Sequence, residues 1–254
     1  MDTVIADRLG KNYNSFPALD GVNFSIRKGE VFGLLGPNGA GKTTTIRILS
    51  GLLKPSSGRA LIMGNDVVKE PVEVKKSIGV VPETSNLYPE LTCFDNLVFA
   101  GRLYGMESEK VKIKADELLT MFGLREKRNA LFSKLSSGMR RRLTMAASLI
   151  HGPPVLFLDE PTTGLDVMSA RALREIIQSL KRKGITILLT THYIEEADRL
   201  CDRIAMIVKG RVIVIDTPET LKKSVSAVNP SLEDAFVEIT GLQSELMFHE
   251  KEGG

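Results

Sequence analysis

The chain has only two cysteines, Cys93 and Cys201, far apart and without C-x-x-C spacing, which gives neither a disulfide framework nor a zinc site. Both are expected as buried or neutral thiols in a reducing cytosol. Long hydrophobic runs are also missing, and none approaches the about 18 apolar residues of a membrane span. Met1-Asp2-Thr3-Val4 lacks the basic and then apolar stretches of a secretion signal. If the protein works at a membrane, another chain must cross it. A formal net charge of only +3 over 254 residues gives no argument for a nucleic-acid-binding surface. Internal repeats and low-complexity segments are absent too. The hydrophobic share is ordinary, and the length suffices for a substantial core in one large domain or a domain with an inserted lobe.

Against these absences stands Gly36-Pro37-Asn38-Gly39-Ala40-Gly41-Lys42-Thr43-Thr44, which matches G-x-x-x-x-G-K-[ST] at every required position. Glu30 to Leu35 reads as a short buried strand before it, and Thr44 to Ser50 as a helix after it. Gly36, Gly39 and Gly41 permit backbone conformations a Cβ would hinder, so that successive N–H groups can turn toward phosphate oxygens. The following helix adds its positive end. In this pattern Lys42 reaches the β- and γ-phosphates, the Thr43 hydroxyl ligates Mg²⁺, and Thr44 lies close enough to assist. Alone, the loop does not distinguish kinase, GTPase, motor or transporter.

Two strand-like runs, Thr3 to Leu9 and Val22 to Ile26, read as an antiparallel β layer leading into an α/β core. Arg59 to Met63 and Ile78 to Val81 are further strands. From Thr92 to about Ile150 strand signals vanish, while Phe94 to Ala100 and Lys110 to Phe122 show helical apolar spacing, so this is a helical insertion. Apolar strands then resume at Val155–Leu158, Ile185–Leu189, Ile204–Val208 and Val212–Ile215. Such strands alternating with helices predict a mostly parallel sheet covered on both faces.

Val155 to Leu158 ends in two carboxylates, Asp159 and Glu160. In a parallel α/β sheet ligands sit beyond the carboxyl ends of the strands, so both acids fall where the loop delivers its nucleotide. Asp159 can hold Mg²⁺ and Glu160 can orient or deprotonate an attacking water. Thr190-Thr191-His192 ends the next strand and brings His192 to the same edge. Glu195, Glu196 and Asp198 suit a helix start and read as complements to its dipole. Leu135-Ser136-Ser137-Gly138-Met139 opens another helix with Ser136 as an ordinary cap. Arg140, Arg141 and Arg142 in its first turn oppose the dipole, and either an anion on a second phosphate-facing surface or stems snorkelling over the surface would account for them.

These residues in this order, with Tyr13, Glu83 and Gly164-Leu165-Asp166, resemble the nucleotide-binding subunit of an ATP-binding cassette (ABC) transporter over residues 1 to about 220. The resemblance implies an α/β fold with a P-loop NTPase core, an N-terminal antiparallel β layer and a helical subdomain over about 85–150. A short C-terminal helical tail, 221–254, would follow. It further implies a head-to-tail homodimer or heterodimer with two ATP molecules sandwiched between the loop of one subunit and the Leu-Ser-Gly-Gly-Gln signature of the other. Ser136 and Gly138 would then touch the γ-phosphate across the interface, Asp166 would lie at the same seam, and Tyr13 would stack on adenine. His192 would contact the γ-phosphate, and Lys42, Glu160 and His192 would form the catalytic set. Leu91 to Leu97, Arg102 to Gly105, and the tail Asn229 to Gly241 resemble export-type members, which serve separate membrane permeases. Such a subunit is peripheral on the cytoplasmic side of the membrane and binds no nucleic acid.

Two departures stand out. Ser137 and Met139 replace the signature's first glycine and its glutamine, leaving Ser136 and Gly138. Glu83 stands where the family usually has glutamine after Pro82; a carboxylate still suits Mg²⁺ but adds negative charge beside a triphosphate. In the tail, Leu232, Ala235, Phe236 and Ile239 form one apolar face for either intrachain docking or a dimer interface. Other expectations compatible with the motifs are a cassette ATPase without transport, of the cofactor-assembly type, and a module using ATP as a dimerisation switch.

Overall fold

The computed structural model describes residues 2–14, 16–226 and 229–241. The chain opens with strands β1 (Asp2–Tyr13) and β2 (Phe16–Arg27), then β3 (Val31–Leu35) and helix α1 (Lys42–Leu49). Next come β4 (Ser57–Ile62), β5 (Asn65–Asp66), α2 (Pro71–Ser77) and β6 (Ile78–Val81). Helices α3 (Cys93–Leu103), α4 (Ser108–Met121) and α5 (Ser137–Ser148) precede β7 (Val155–Asp159) and α6 (Val167–Arg182). Strand β8 (Thr186–Thr191), helix α7 (Ile194–Leu200), strands β9 (Arg203–Val208) and β10 (Arg211–Asp216), and helices α8 (Pro218–Lys223) and α9 (Leu232–Thr240) complete the described chain.

Two sheets form. The first, β2-β1-β4-β5, is antiparallel. The second runs β10-β9-β3-β8-β7-β6, with β9, β3, β8, β7 and β6 parallel and only β10 antiparallel. Every residue of β3, β7 and β8 is buried, as strands covered on both faces require. Alternate side chains feed two cores: Val31 and Leu35 join the helices α3 to α6, while Phe32 and Leu34 join the antiparallel sheet and α1. That alternation ties the phosphate-loop strand to both layers.

The parallel core, the antiparallel layer and the helical insertion agree with the sequence-based expectation. Strands β1 and β2 extend to Tyr13 and from Phe16 because they pair along their whole length, Tyr13 opposite Phe16. Helix α2 had no clear apolar period; it buries only Val74. Cys93 and Cys201 are free and buried, and burial pushes both thiols up.

Helix α9 docks within its own chain. Leu232 and Ala235 are buried, and Phe236 and Ile239 pack against the same core. A reciprocal capping box between Ser231 and Asp234 starts it and Gly241, at φ 68°, ends it. Of the two occupants open for its apolar face, the chain's own core takes it. Residues 242–254 of the expected tail lie outside the described residues.

Candidate active site

Strand β3 delivers the chain to Gly36, where a Cβ would stand 2.1 Å from the Ile207 carbonyl oxygen, so only glycine fits beside β9. Gly41, at φ 104°, is similarly crowded by Leu19 and Ala18 and is the N-cap of α1. The loop thus curls tightly before Lys42. Lys42 is 5% exposed; its Nζ donates to the carbonyls of Gly36 (2.7 Å) and Pro37 (3.0 Å) and pairs with Glu160 Oε1 at 3.1 Å. Its ammonium is therefore held inside the loop rather than swinging free.

Strand β7 brings Asp159 and Glu160 to the same place because it lies two strands from β3, with β8 between them. Asp159 Oδ1 accepts from the Thr190 hydroxyl at 2.6 Å and from the Thr43 hydroxyl at 3.3 Å. Glu160 follows with φ 48°, a left-handed backbone that costs a non-glycine residue free energy. Its Oε2 accepts from the Thr163 hydroxyl at 2.9 Å and from His192 Nδ1 at 2.5 Å; since an ionised carboxylate only accepts, Nδ1 carries the proton. Burial alone would raise the Glu160 carboxyl; the Lys42 bond and charge, the Thr163 bond and His192 overcome it and hold the acid below its usual range.

Lys42, Thr43, Thr44, Asn38, Gly39, Gly41, Glu83, Glu160, His192 and Tyr13 line one open cleft of about 490 Å³. Phe16 sits there too, 63% exposed beside Tyr13 at 43%, and was not singled out from the sequence. Its only signal was being the next aromatic after Tyr13 in a turn. Ser136, Gly138 and Asp166 do not line this cleft. Ser136 caps α5, accepting from the Met139 N–H at 3.3 Å, and is exposed. Asp166 caps α6 through the Ser169 N–H and hydroxyl. Gly138 packs where a Cβ would meet Ser169 Oγ at 2.2 Å, so the first turns of α5 and α6 lie against one another.

One sequence-based expectation changes, and one residue is more deeply buried than its motif suggests. The arginines of α5 have partners within the chain: Arg140 donates to the Ser133 carbonyl, Arg142 to the Phe122 carbonyl, and Arg141 is buried against backbone carbonyls following β6 and at the end of β7. They require no anion. Glu196 lies in the first turn of α7, where an acid complements the dipole, but it is 2% exposed, and neither carboxyl oxygen has a hydrogen bond of good geometry.

A glycine loop closing on a buried lysine, a hydroxyl beside an aspartate, and a glutamate held by histidine define a P-loop nucleotide hydrolase. A family profile described as ABC transporter matches residues 19–163. DrrA of Streptomyces peucetius, a daunorubicin/doxorubicin resistance ATP-binding protein, is 47% identical over 219 residues, covering 86% of this chain and 66% of DrrA. The Nod factor export ATP-binding protein I of Paraburkholderia xenovorans is 43% identical, covering 85% of this chain and 71% of its own. The chain thus spans about two thirds of DrrA's length. Among solved structures, an ATP-binding subunit of an ABC transporter superposes with a TM-score of 0.84 at 32% identity, over 94% of this chain and 99% of the other. The ATP-binding cassette MJ0796, seen as a dimer after hydrolysis with ADP and phosphate, superposes at 0.76 with 29% identity, covering 84% and 98%. The protein belongs to the ABC transporter family, and its fold is that family's ATPase domain.

Proposed function

We propose that this chain binds and hydrolyses ATP as a subunit of an export transporter, pairing head to tail with a second ATP-binding subunit and driving a separate membrane permease from the cytoplasmic side. The observation that carries the chemistry is Glu160, fixed by Lys42, Thr163 and His192 at the mouth of the phosphate loop. Tyr13 stacks on adenine, with Phe16 beside it. Residues Gly36 to Thr44 cradle the phosphates, and Lys42 leaves or shares Glu160 to meet the β- and γ-phosphates. Water attacks the γ-phosphorus in line, its proton passes to Glu160, and the bond to the leaving ADP oxygen breaks. His192, hydrogen-bonded to Glu160, keeps that carboxylate oriented and contacts the γ-phosphate.

Thr43, Glu83 and Asp159 are hard oxygen donors, and Thr43 and Asp159 already lie together, a set suited to Mg²⁺ arriving with phosphates. When bound, the ion neutralises charge on the β- and γ-phosphates. Residues 1–220 form the nucleotide-binding domain with its helical subdomain at about 85–150, and 221–254 its tail. Dimerisation is supported by the dimeric MJ0796 and by Val167 and Met168, 79% and 71% exposed immediately after Asp166. Ser136 and Gly138 serve the partner's ATP. Export is supported by the resistance and export names of the relatives. Among the described residues no helix is long and apolar enough to cross a membrane, so the permease is a separate protein or segment.

Two measurements test this. Glu160→Gln should bind ATP yet lose turnover by about a hundredfold or more, the scale of a general base; unchanged turnover removes Glu160 from the mechanism. Purified from membranes, the chain should bring an integral partner that stimulates its ATPase activity, and recovery without one rejects transport.

A further inference from the structure

Arg141 is the fifth residue of α5, three residues past Gly138, and is 8% exposed. Its Nε donates to the Pro161 carbonyl at 2.8 Å. One terminal nitrogen donates to the Pro82 and Glu83 carbonyls, the latter at 3.0 Å, and the other to the Asp159 and Glu160 carbonyls, both at 2.7 Å. A guanidinium has five N–H donors, and each finds an acceptor here. The carbonyls belong to two backbone segments, one after β6 that leads to the Glu83 carboxylate and one at the end of β7 that carries Asp159 and Glu160.

Two features make this more than core packing. Glu160 has φ 48°, so its carboxylate stands where it does only while the surroundings hold a turn that a non-glycine residue disfavours. Arg141 grips that turn through the carbonyls before, at and after it. Its charge also lies among four carboxylates, Asp159, Glu83, Glu196 and Glu160, which oppose the burial that draws its pKa down. Arg141 does not line the nucleotide cleft and touches no reacting atom.

We propose that Arg141 is a positioning residue for ATP hydrolysis, its guanidinium bracing the backbone beneath Glu83, Asp159 and Glu160 from the helix that presents Ser136 and Gly138. The proposal rests on Glu160 being the residue that activates water. Lysine keeps the charge but offers three donors from one point, so it cannot span both segments.

The test compares Arg141→Lys, Arg141→Gln and Glu160→Gln in the full chain, reading kcat, KM for ATP and thermal unfolding. Arg141 bonds none of residues 36–44, so both arginine variants should keep KM within about twofold while kcat falls about tenfold or more, as misplacement of catalytic groups produces. Folded Arg141→Lys or Arg141→Gln with kcat within twofold of the parent overturns the proposal. So does a rise in KM matching the fall in kcat, or failure of both variants to fold, which assigns Arg141 to the core alone. Loss of turnover in Glu160→Gln with parental kcat in the arginine variants rejects this proposal and leaves the reading of Glu160 standing. Parental turnover in Glu160→Gln rejects that reading first.

Discussion

Lys42 and Glu160 form a buried ion pair, 5% and 7% exposed, whose members also carry most of the proposed chemistry. Such a pair is weak evidence for stability, because desolvating two charges offsets their attraction. Its value is geometric: the ammonium holds one oxygen of Glu160 while His192 and Thr163 hold the other. Glu196 is the contrary case. Burial pushes its carboxyl above the ordinary 4.5, the charge of Glu160 acts in the same direction, and Thr162, Thr191 and Arg174 favour the ionised form without cancelling burial. With the folded value raised, the stability this group contributes is complete below about pH 4.5 and is lost as pH rises through the folded value. Glu196→Gln, which cannot ionise, should therefore melt higher than the parent at pH 7, and the difference should close as pH falls toward 4. Melting curves across that range check it; a constant difference contradicts the assignment.

At the scale of elements, helix caps organise the surface around the site. Ser136 caps α5, Asp166 caps α6, and Gly138 fits against Ser169 because it has no Cβ. The periods that identify α3 and α4 were plain, since each buries one stripe: Cys93, Asn96 and Leu97 in the first, Val111, Ala115, Leu118 and Leu119 in the second. Helix α9 was legible as a capped amphipathic helix, but not its berth. Its start depends on Ser231, whose hydroxyl accepts from the Asp234 N–H at 3.1 Å while Asp234 answers the Ser231 N–H at 2.8 Å. Ser231→Ala should cost about 1 kcal/mol. Hydrogen exchange should rise first in α9 while the strands stay protected; unchanged exchange across 232–240 would show that packing of Leu232 and Ala235 alone holds it.

Across the whole molecule, the proposed site has two unlike parts that one chain does not bring together. The cleft contains Tyr13, Lys42, Glu83, Glu160 and His192, whereas Ser136 and Asp166 are exposed and do not line it. The head-to-tail pairing proposed above would bring one set onto the other. ATP should therefore convert Glu160→Gln from monomer to dimer in sedimentation, and Val167→Lys, placing a charge in the exposed apolar pair beside Asp166, should weaken that dimer. A Glu160→Gln protein that stays monomeric with saturating ATP and Mg²⁺ would remove the head-to-tail arrangement.

The sequence by itself determined the phosphate loop, the adjacent carboxylates and the histidine, because each sits at the end of a strand whose apolar run is local, and a parallel sheet gathers strand ends on one edge. It also determined the parallel core, the helical insertion and the family. Tertiary structure alone decided the partners of Arg141 and the burial of Glu196: none of Arg141's acceptors lies near it in the chain, with Pro82 and Pro161 on opposite sides of it at long range, and Glu196 meets Thr162 and Arg174 as well as the nearby Thr191. Three consecutive arginines look alike along a sequence. Only the packing of α5 between two backbone segments turns the middle one inward, where five carbonyls rather than an anion receive it. The same holds for α9, whose apolar face specified that something would cover it, while the reach of the chain back to α7 and α8 decided what.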